Sequence, residues 1–288
     1  MFSTKIERSC CGEISVMQFL MEEFEIVAYG IFTEDAIRVD YRPGIRARWE
    51  YAAQTFIDDA WKTYAQASRK TGVTVYNGNI FRLDGVERTN GCLSLMLSDT
   101  DFRSAIGTGT SGFVAAFPRV QRANPFSLSV ALVTADGRIV LEKRHRIDSR
   151  RRKYHVIAGF MEREFDASDG RPNPFDALKR EVREELALSI EDPVYATGLV
   201  RAIYGSELCF YSRLSISFND LLEIKENGET DCEIDTLEEV EDSPSAVASF
   251  LAGHTGDFVP SGRACLLLYG REAYGAKWYE DAMKSSPA

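Results

Sequence analysis

Residues 174–187 read PFDALKREVREELA, and this stretch decides the fold of the second half of the chain. Its apolar residues recur at spacings of three and four, which predicts an amphipathic helix that begins near Asn173. The carboxylates of Glu181, Glu184 and Glu185 lie beside the apolar stripe and converge on one rim of that helix. The stretch therefore predicts a helix packed on a core with an acidic edge.

The acidic edge has two interpretations. Like charges three and four residues apart repel one another and destabilise an isolated helix, so a hard divalent cation that accepts carboxylate oxygens would stabilise them. Alternatively, the edge is an ordinary solvated helix face whose charge is balanced by Arg180 and Arg183. Spacing alone does not decide between a metal site and a solvated face.

The surroundings of the helix favour the metal site. A short predicted strand, 154–158, precedes it and runs into Gly159. With that glycine the sequence resembles the Nudix box, whose pattern is a Gly, five residues, a Glu, seven residues and then Arg-Glu-apolar-x-Glu-Glu-x-Gly-apolar. The second half of this pattern is matched by Arg180-Glu181-Val182-Arg183-Glu184-Glu185-Leu186. The chain is thus similar to the Nudix hydrolases over this motif.

The first half of the box departs from the family pattern. Twenty residues separate Gly159 from Arg180, where the family has thirteen, which indicates an insertion in the loop. Counting back from Arg180 puts Pro172 at the position of the first Glu. Glu162 and Glu164 are the alternatives for that acidic role, and the sequence does not choose between them.

The resemblance implies roles for the box residues. Oxygen ligands to magnesium, with manganese as the alternative ion, would come from Glu181, Glu184, Glu185 and the carbonyl of Ala158. The same three carboxylates would be the catalytic residues. Gly159 and Arg180 would support the box structurally, with Arg180 paired to its carboxylates. Ala187 stands in place of the final Gly, which predicts a helix that closes without the usual left-handed residue.

A narrower resemblance extends from about Ile37 through most of the chain, to a divergent animal branch of the family that cleaves UDP-glucose and UDP-galactose and carries an insertion in its box. It is based on the blocks Arg48-Trp49-Glu50, Asp101-Phe102-Arg103, Gly107-Thr108, 131–136 and Pro260-Ser261-Gly262-Arg263. It implies hydrolysis of a UDP-sugar to UMP and a sugar 1-phosphate. The alternatives are the same chemistry on ADP-ribose, an ADP-sugar, a dinucleotide or a CoA derivative, or a non-catalytic ligand sensor.

Four residues outside the box are candidates for contact with the substrate. Arg144 belongs to a basic run before Gly159 that could steer phosphate, or that is simply a solvated loop. Arg103 could reach the nucleotide from the amino-terminal half, unless its segment is a plain interdomain loop. Ser261 could cap a helix whose positive end, with Arg263, meets an anion, although capping alone explains a serine there.

Composition narrows the class of partner. A formal charge of −10 with a pI near 5.0 argues against a nucleic-acid surface, which needs a basic excess. The sequence contains no apolar run long enough for a membrane span, and its six cysteines show no metal-ligand spacing. We therefore expect a cytoplasmic protein. The resemblance implies that its partner is a small nucleotide derivative, and the sequence leaves the oligomeric state open.

The chain of 288 residues divides into two predicted domains. Residues 1–122 form a smaller α+β domain with a strand pair over 24–41, a long helix over 45–70 and a loop rich in Gly and Thr over 107–112. Residues 123–288 form an α/β domain, an αβα Nudix sandwich with a mixed sheet and a docked carboxy-terminal helix. A hairpin is expected about 135–137, because Gly there allows a positive φ.

Overall fold

The computed structural model describes residues 24–70, 74–89, 91–144, 153–230 and 234–285. Their strands are β1 (Phe24–Phe32), β2 (Ile37–Arg46), β3 (Asn79–Thr89), β4 (Cys92–Asp101), β5 (Phe126–Val133), β6 (Arg138–Arg144), β7 (Tyr154–His155), β8 (Ile157–Phe160), β9 (Ala167–Ser168), β10 (Arg171–Pro172), β11 (Val194–Ala202), β12 (Gly205–Arg213) and β13 (Ile234–Glu241). Their helices are α1 (Tyr51–Lys70), α2 (Phe102–Thr108), α3 (Ser111–Ala116), α4 (Pro174–Leu186), α5 (Phe218–Asn227), α6 (Pro244–Gly253), α7 (Pro260–Tyr274) and α8 (Ala276–Ser285).

The larger sheet has the strand order β1-β11-β12-β5-β6-β13, with β7 paired to β6 and β8 paired to β5. Strands β12 and β5 run parallel, whereas the other pairs in this sheet are antiparallel. Helix α4 covers one face and α7 the other. The predicted αβα architecture with a mixed sheet and a docked carboxy-terminal helix is confirmed.

Both faces of this sheet are buried, because helices cover each of them. Successive side chains of a strand point to opposite faces, so the sheet contributes to two cores. One core combines α4 with alternate sheet residues and includes Leu128, Val130, Leu208, Leu178 and Val182. The other core combines α6 and α7 with the intervening residues and includes Ala131, Val133, Cys209, Leu251 and Leu267. Each fully buried Leu or Val contributes about 1.5–3 kcal/mol relative to an exposed one. These contacts fix α4, and with it the acidic edge, against the middle of the sheet.

The smaller sheet has the order β2-β4-β3, and the predicted strand pair over 24–41 is wrong. Strand β1 pairs with β11 of the larger sheet, with Phe24 opposite Ala202. Strand β2 instead lies parallel to β4, with Ile37 opposite Leu93. Alternating residues identify a strand without identifying its partner. The boundary after residue 122 stays a prediction, although β1 belongs to the sheet of the second half.

Two further expectations for the amino-terminal half are corrected. The long helix begins at Tyr51 rather than Ile45, because β2 continues to Arg46. The expected loop over 107–112 contains the end of α2 and the start of α3. A Cβ at Gly107 would lie 2.7 Å from the Cα of Ile57, so this glycine allows α2 to pack closely on α1. The hairpin at 135–137 is confirmed, with Gly137 at φ 73°.

The segment after β8 attaches the two sheets to each other. The amide of Phe81 in β3 donates to the carbonyl of Met161 at 3.1 Å, and Arg163 pairs with the buried Asp99 of β4 at 2.9 Å. The loop between Gly159 and α4 is therefore held against the smaller sheet.

No helix within the described ranges is long and apolar enough to cross a membrane. The described cysteines, Cys92, Cys209 and Cys265, are free thiols. The cytoplasmic location and the absence of nucleic-acid binding stay predictions.

Candidate metal centre and active site

Helix α4 begins and ends as local chemistry requires. The side chain of Asn173 caps its first turn by accepting from the amides of Phe175 at 2.9 Å and Asp176 at 3.4 Å. Pro174 occupies the first helical position, where a missing N–H costs nothing. At the other end Ala187 has φ 54° and ψ 19°, which is the left-handed region. The expectation that this helix closes without a left-handed residue is wrong, because the alanine adopts that conformation itself.

The conversion Ala187→Gly is expected to raise the free energy of unfolding by up to about 1 kcal/mol, because glycine adopts a positive φ without steric cost. Turnover should change little, since the position follows the last carboxylate. Denaturant unfolding measures the first effect. Ala177→Gly in the interior of the same helix is the control and should destabilise. A large change in turnover for Ala187→Gly would show that the residues of the predicted Nudix box do not align with this helix as the sequence suggests.

Glu181 lies against strand β8, and Gly159 makes room for it. A Cβ built on Gly159 would collide with the carboxylate of Glu181. Glu181 is 7% exposed, so its carboxylate is enclosed between the helix and the strand, beside Ala158. The glycine that opens the predicted box is thus required by the placement of the first helical carboxylate.

If Glu181 has the catalytic role that the resemblance implies, Gly159→Ala is expected to reduce turnover at least about tenfold by displacing the Glu181 carboxylate, since small misplacements of such a group are costly. The free energy of unfolding should change little, because the group that must move is the end of a side chain. Gly253→Ala is the matched control, since a Cβ at Gly253 meets nothing within 4 Å. Unchanged activity in Gly159→Ala would separate Glu181 from the chemistry.

Arg180 connects the acidic groups of the site. Its guanidinium makes two hydrogen bonds to Asp166, at 2.8 and 2.7 Å. It also pairs with Glu181 at 2.8 Å and with Glu184 at 2.7 Å, and it donates to the carbonyl of Phe160 at 3.2 Å. Burial lowers the pKa of Arg180, but these carboxylates outweigh burial and hold it above its ordinary value. The residue is a structural support, occupied by protein groups.

Asp166 is the acidic partner of Arg180 that sequence reasoning missed. Pro172 lies in β10, the side chain of Glu164 accepts from Asn79 at 2.6 Å, and the backbone amide of Glu162 donates to Asp166 at 2.6 Å. Asp166 is therefore the loop carboxylate that hydrogen-bonds to Arg180. Of the two predicted alternatives, Glu162 interacts with Arg180 and Glu184 through charge, and burial is the main cause that raises its pKa. Counting forward from Gly159 instead of back from Arg180 would have pointed to this part of the loop, because the extra residues follow Asp166.

The three helical carboxylates occupy different environments. Burial is the main cause that raises the pKa of Glu181 to about 8, with Arg180 opposing it and the charge of Glu184 adding to it. Glu185 is 2% exposed, whereas Glu184 is exposed at the rim. Within the described ranges, no group of three or more His, Cys, Asp or Glu side chains is already arranged around a metal position. The structure brings the carboxylates to one helix edge without assembling a complete set of ligands.

A small pocket of about 50 Å³ is lined in part by β8. It is lined by Ala158, Gly159, Phe160, Ser127, His155, Ala202, Tyr204, Gly205, Glu207, Val259 and Ser261. Ser261 is the second residue of α7 and does not cap it, because the cap position is Val259 and makes no side-chain hydrogen bond. The hydroxyl of Ser261 lies 3.2 Å from Nε2 of His155, and buried Glu207 accepts from Ser127 at 3.1 Å.

The three arginines predicted to contact substrate do not line this pocket. Arg263 is 1% exposed, with its guanidinium 5.8 Å from the ring centre of Phe24, so it is enclosed in the core. Arg103 lies at the start of α2, 3.6 Å from Asp58. Arg144 ends β6, and its side chain is outside the described part of the chain, as is most of the basic run that follows it.

The known proteins that resemble this chain do so in structure. No protein-family model matches this sequence, and no curated protein sequence does. The NUDIX domain of Shewanella oneidensis NrtR, solved with ADP ribose, aligns with a TM-score of 0.39 and 12% identity over 57% of this chain and 99% of that chain. A NUDIX hydrolase from Nitrosomonas europaea aligns with a TM-score of 0.37 and 16% identity over 51% of this chain and 89% of that one.

A MutT protein from Methanosarcina mazei Go1 aligns with a TM-score of 0.37 and 12% identity, covering 52% of this chain and 94% of that one. These identities and scores are too low to assign an activity, a substrate or a metal to the present chain.

Proposed function

We propose that this protein is a divalent-metal-dependent hydrolase that cleaves the diphosphate of a nucleoside diphosphate derivative. The observation that carries the proposal is the carboxylate of Glu181, which is enclosed between α4 and β8 in the space that Gly159 leaves. A buried carboxylate in that state gains from a further positive charge. Glu185, one turn along the same edge, is equally enclosed.

The donors at this edge fit magnesium, with manganese as the alternative, because both are hard cations that prefer oxygen ligands. Glu181, Glu185 and the carbonyl of Ala158 would hold the ion, and Glu184 would hold a second ion or orient water. A bound ion would neutralise the diphosphate and lower the pKa of a water molecule.

The protein groups prepare the site in three ways. Arg180 fixes the backbone of β8 and the carboxylates of α4 relative to each other, through its bonds to Phe160, Glu181 and Glu184. Gly159 leaves the space that the Glu181 carboxylate fills. Glu184 is exposed and therefore remains accessible to water at the rim. The charged groups at this edge are then already in position when the diphosphate binds.

For the substrate we propose a UDP-sugar such as UDP-glucose, cleaved to UMP and sugar 1-phosphate. The support is the set of sequence blocks outside the box, which would place specificity away from the metal helix. We expect kcat/KM for UDP-glucose to exceed that for ADP-ribose at least about tenfold, or roughly 1.4 kcal/mol in transition-state binding. A panel of nucleotide derivatives with magnesium, with products identified by mass, measures this ratio.

Arg103→Ala is expected to reduce that ratio, whereas Arg183→Ala, an exposed position on α4, is the control that should not. Arg263 is not a candidate for substrate specificity, because it is buried and its substitution would damage the fold. A preference for ADP-ribose would retain the hydrolase and remove the UDP-sugar assignment. Binding of a nucleotide without turnover under either metal would favour the ligand-sensor alternative.

A further inference from the structure

A second pocket, of about 380 Å³, lies in the amino-terminal half between the end of β2, the end of β4 and the start of α2. Its lining residues are Arg46, Ala47, Arg48, Trp49, Gln54, Asp99, Thr100, Asp101, Arg103 and Ser104. The volume is within the range of small-molecule sites. We infer that this pocket, which we call the arginine pocket, binds a phosphorylated small molecule through the guanidinium groups of Arg46, Arg48 and Arg103.

The two acidic residues of the lining are already engaged by other groups. Asp99 accepts from the hydroxyl of Tyr41 at 2.7 Å and from the amide of Gly44 at 2.9 Å, and it pairs with Arg163 at 2.9 Å. Asp101 caps α2 by accepting from the amide of Ser104 at 2.9 Å. These carboxylates therefore serve the fold and leave the arginines as the charge available to a ligand.

The arginines keep donor capacity. One hydrogen bond of Arg46 goes to the side-chain oxygen of Asn79, at 3.3 Å. Arg46 lies 3.9 Å from Asp99 and 3.8 Å from Asp101, and Arg103 lies 3.6 Å from Asp58. These separations are too long for charge-assisted hydrogen bonds, which are about 2.7–2.9 Å. The Nε of Arg103 is shielded from solvent and makes no hydrogen bond to any described residue. A buried donor without an acceptor indicates a place where an anionic oxygen would be bound.

The chemistry of the lining favours phosphate over a simple carboxylate. Three arginines line one pocket, and a guanidinium can donate two parallel hydrogen bonds to phosphate oxygens. Thr100 and Ser104 belong to the same lining. The pocket also exceeds the size of a bare phosphate. Trp49, whose indole N–H is held by the carbonyl of Gln121 at 2.7 Å, lines the remainder and can contact the attached sugar or base.

The test is calorimetric titration of inorganic phosphate into the metal-free full chain, which does not require the proposed hydrolase activity. Arg48→Ala and Arg103→Ala should each weaken binding at least about tenfold, and Arg103→Lys should weaken it less than Arg103→Ala. Arg42→Ala, an exposed arginine of β2 outside the pocket, is the matched control and should leave the affinity within about twofold. Equal melting temperatures establish that the variants are folded.

Absence of phosphate binding to the unmodified protein would overturn the inference, as would equal affinity in the alanine variants. Loss of binding in Glu185→Gln would also overturn it, because the phosphate would then lie at the metal helix. Inhibition kinetics with phosphate, measured with UDP-glucose and magnesium, distinguish a phosphate of the substrate from that of a separate ligand. A substrate phosphate predicts competitive inhibition and a raised KM in Arg48→Ala, and a separate ligand predicts inhibition that does not compete.

Discussion

Glu185→Gln and Glu181→Gln are each expected to lower turnover at least about a hundredfold while the protein remains folded. A neutral amide is a poor ligand for the hard cation that would organise the attack. Stability should not fall in parallel for Glu181→Gln, because burial already favours the uncharged form of that side chain at neutral pH in the metal-free protein. Magnesium-dependent turnover and denaturant unfolding, measured on the same samples, separate the two effects.

Asp176→Asn is the matched control, since it neutralises an exposed carboxylate in the first turn of the same helix. It should change turnover little. Loss of folding in both Gln variants would mean that the carboxylates have a structural role. Full activity in both would remove the metal assignment altogether.

The parts of the molecule that sequence predicts well are those set by local periodicity. Helix α4, its acidic edge and the hairpin at 135–137 depend on residues within one turn or one strand of each other. Such a pattern states which face of a helix is buried, so the packing of α4 on a core was accessible before the structure.

Partner choice was not accessible, because it depends on contacts between distant segments. Strand β1 has the same alternation whether it pairs with β2 or with β11. Arg263 at the start of α7 resembles an exposed anion ligand in sequence, yet it is buried over Phe24 from the other end of the chain. Charge on a residue does not reveal that an aromatic ring will cover it.

The acidic residue of the inserted loop was not predicted, for a different reason. Loops have no periodicity, so the position of its acidic residue could only be counted from one end of the motif or the other. Asp166 is identified only by its two hydrogen bonds to Arg180. The arginine pocket was equally hidden, because Arg103 is distant in sequence from Arg46 and Arg48.

Arg180→Ala is expected to lower the free energy of unfolding of the metal-free protein by about 3–5 kcal/mol. The reason is that a buried ion pair is costly to break, since the remaining charge keeps its desolvation penalty. Asp166, which is 5% exposed, would lose its cationic partner. Urea unfolding at pH 7 measures the change, with equal m-values required for a valid comparison.

Arg183→Ala is the control, because that arginine is exposed on the same helix and its loss should cost less than about 0.5 kcal/mol. Adding Asp166→Asn to Arg180→Ala should recover part of the loss, since the buried charge left without a partner is then removed. Magnesium should also recover part of it if the carboxylates bind the ion, because the cation replaces the missing charge. A loss below about 1 kcal/mol for Arg180→Ala would mean that solvent or a rearranged loop neutralises these carboxylates, and Arg180 would then not be the support of the site.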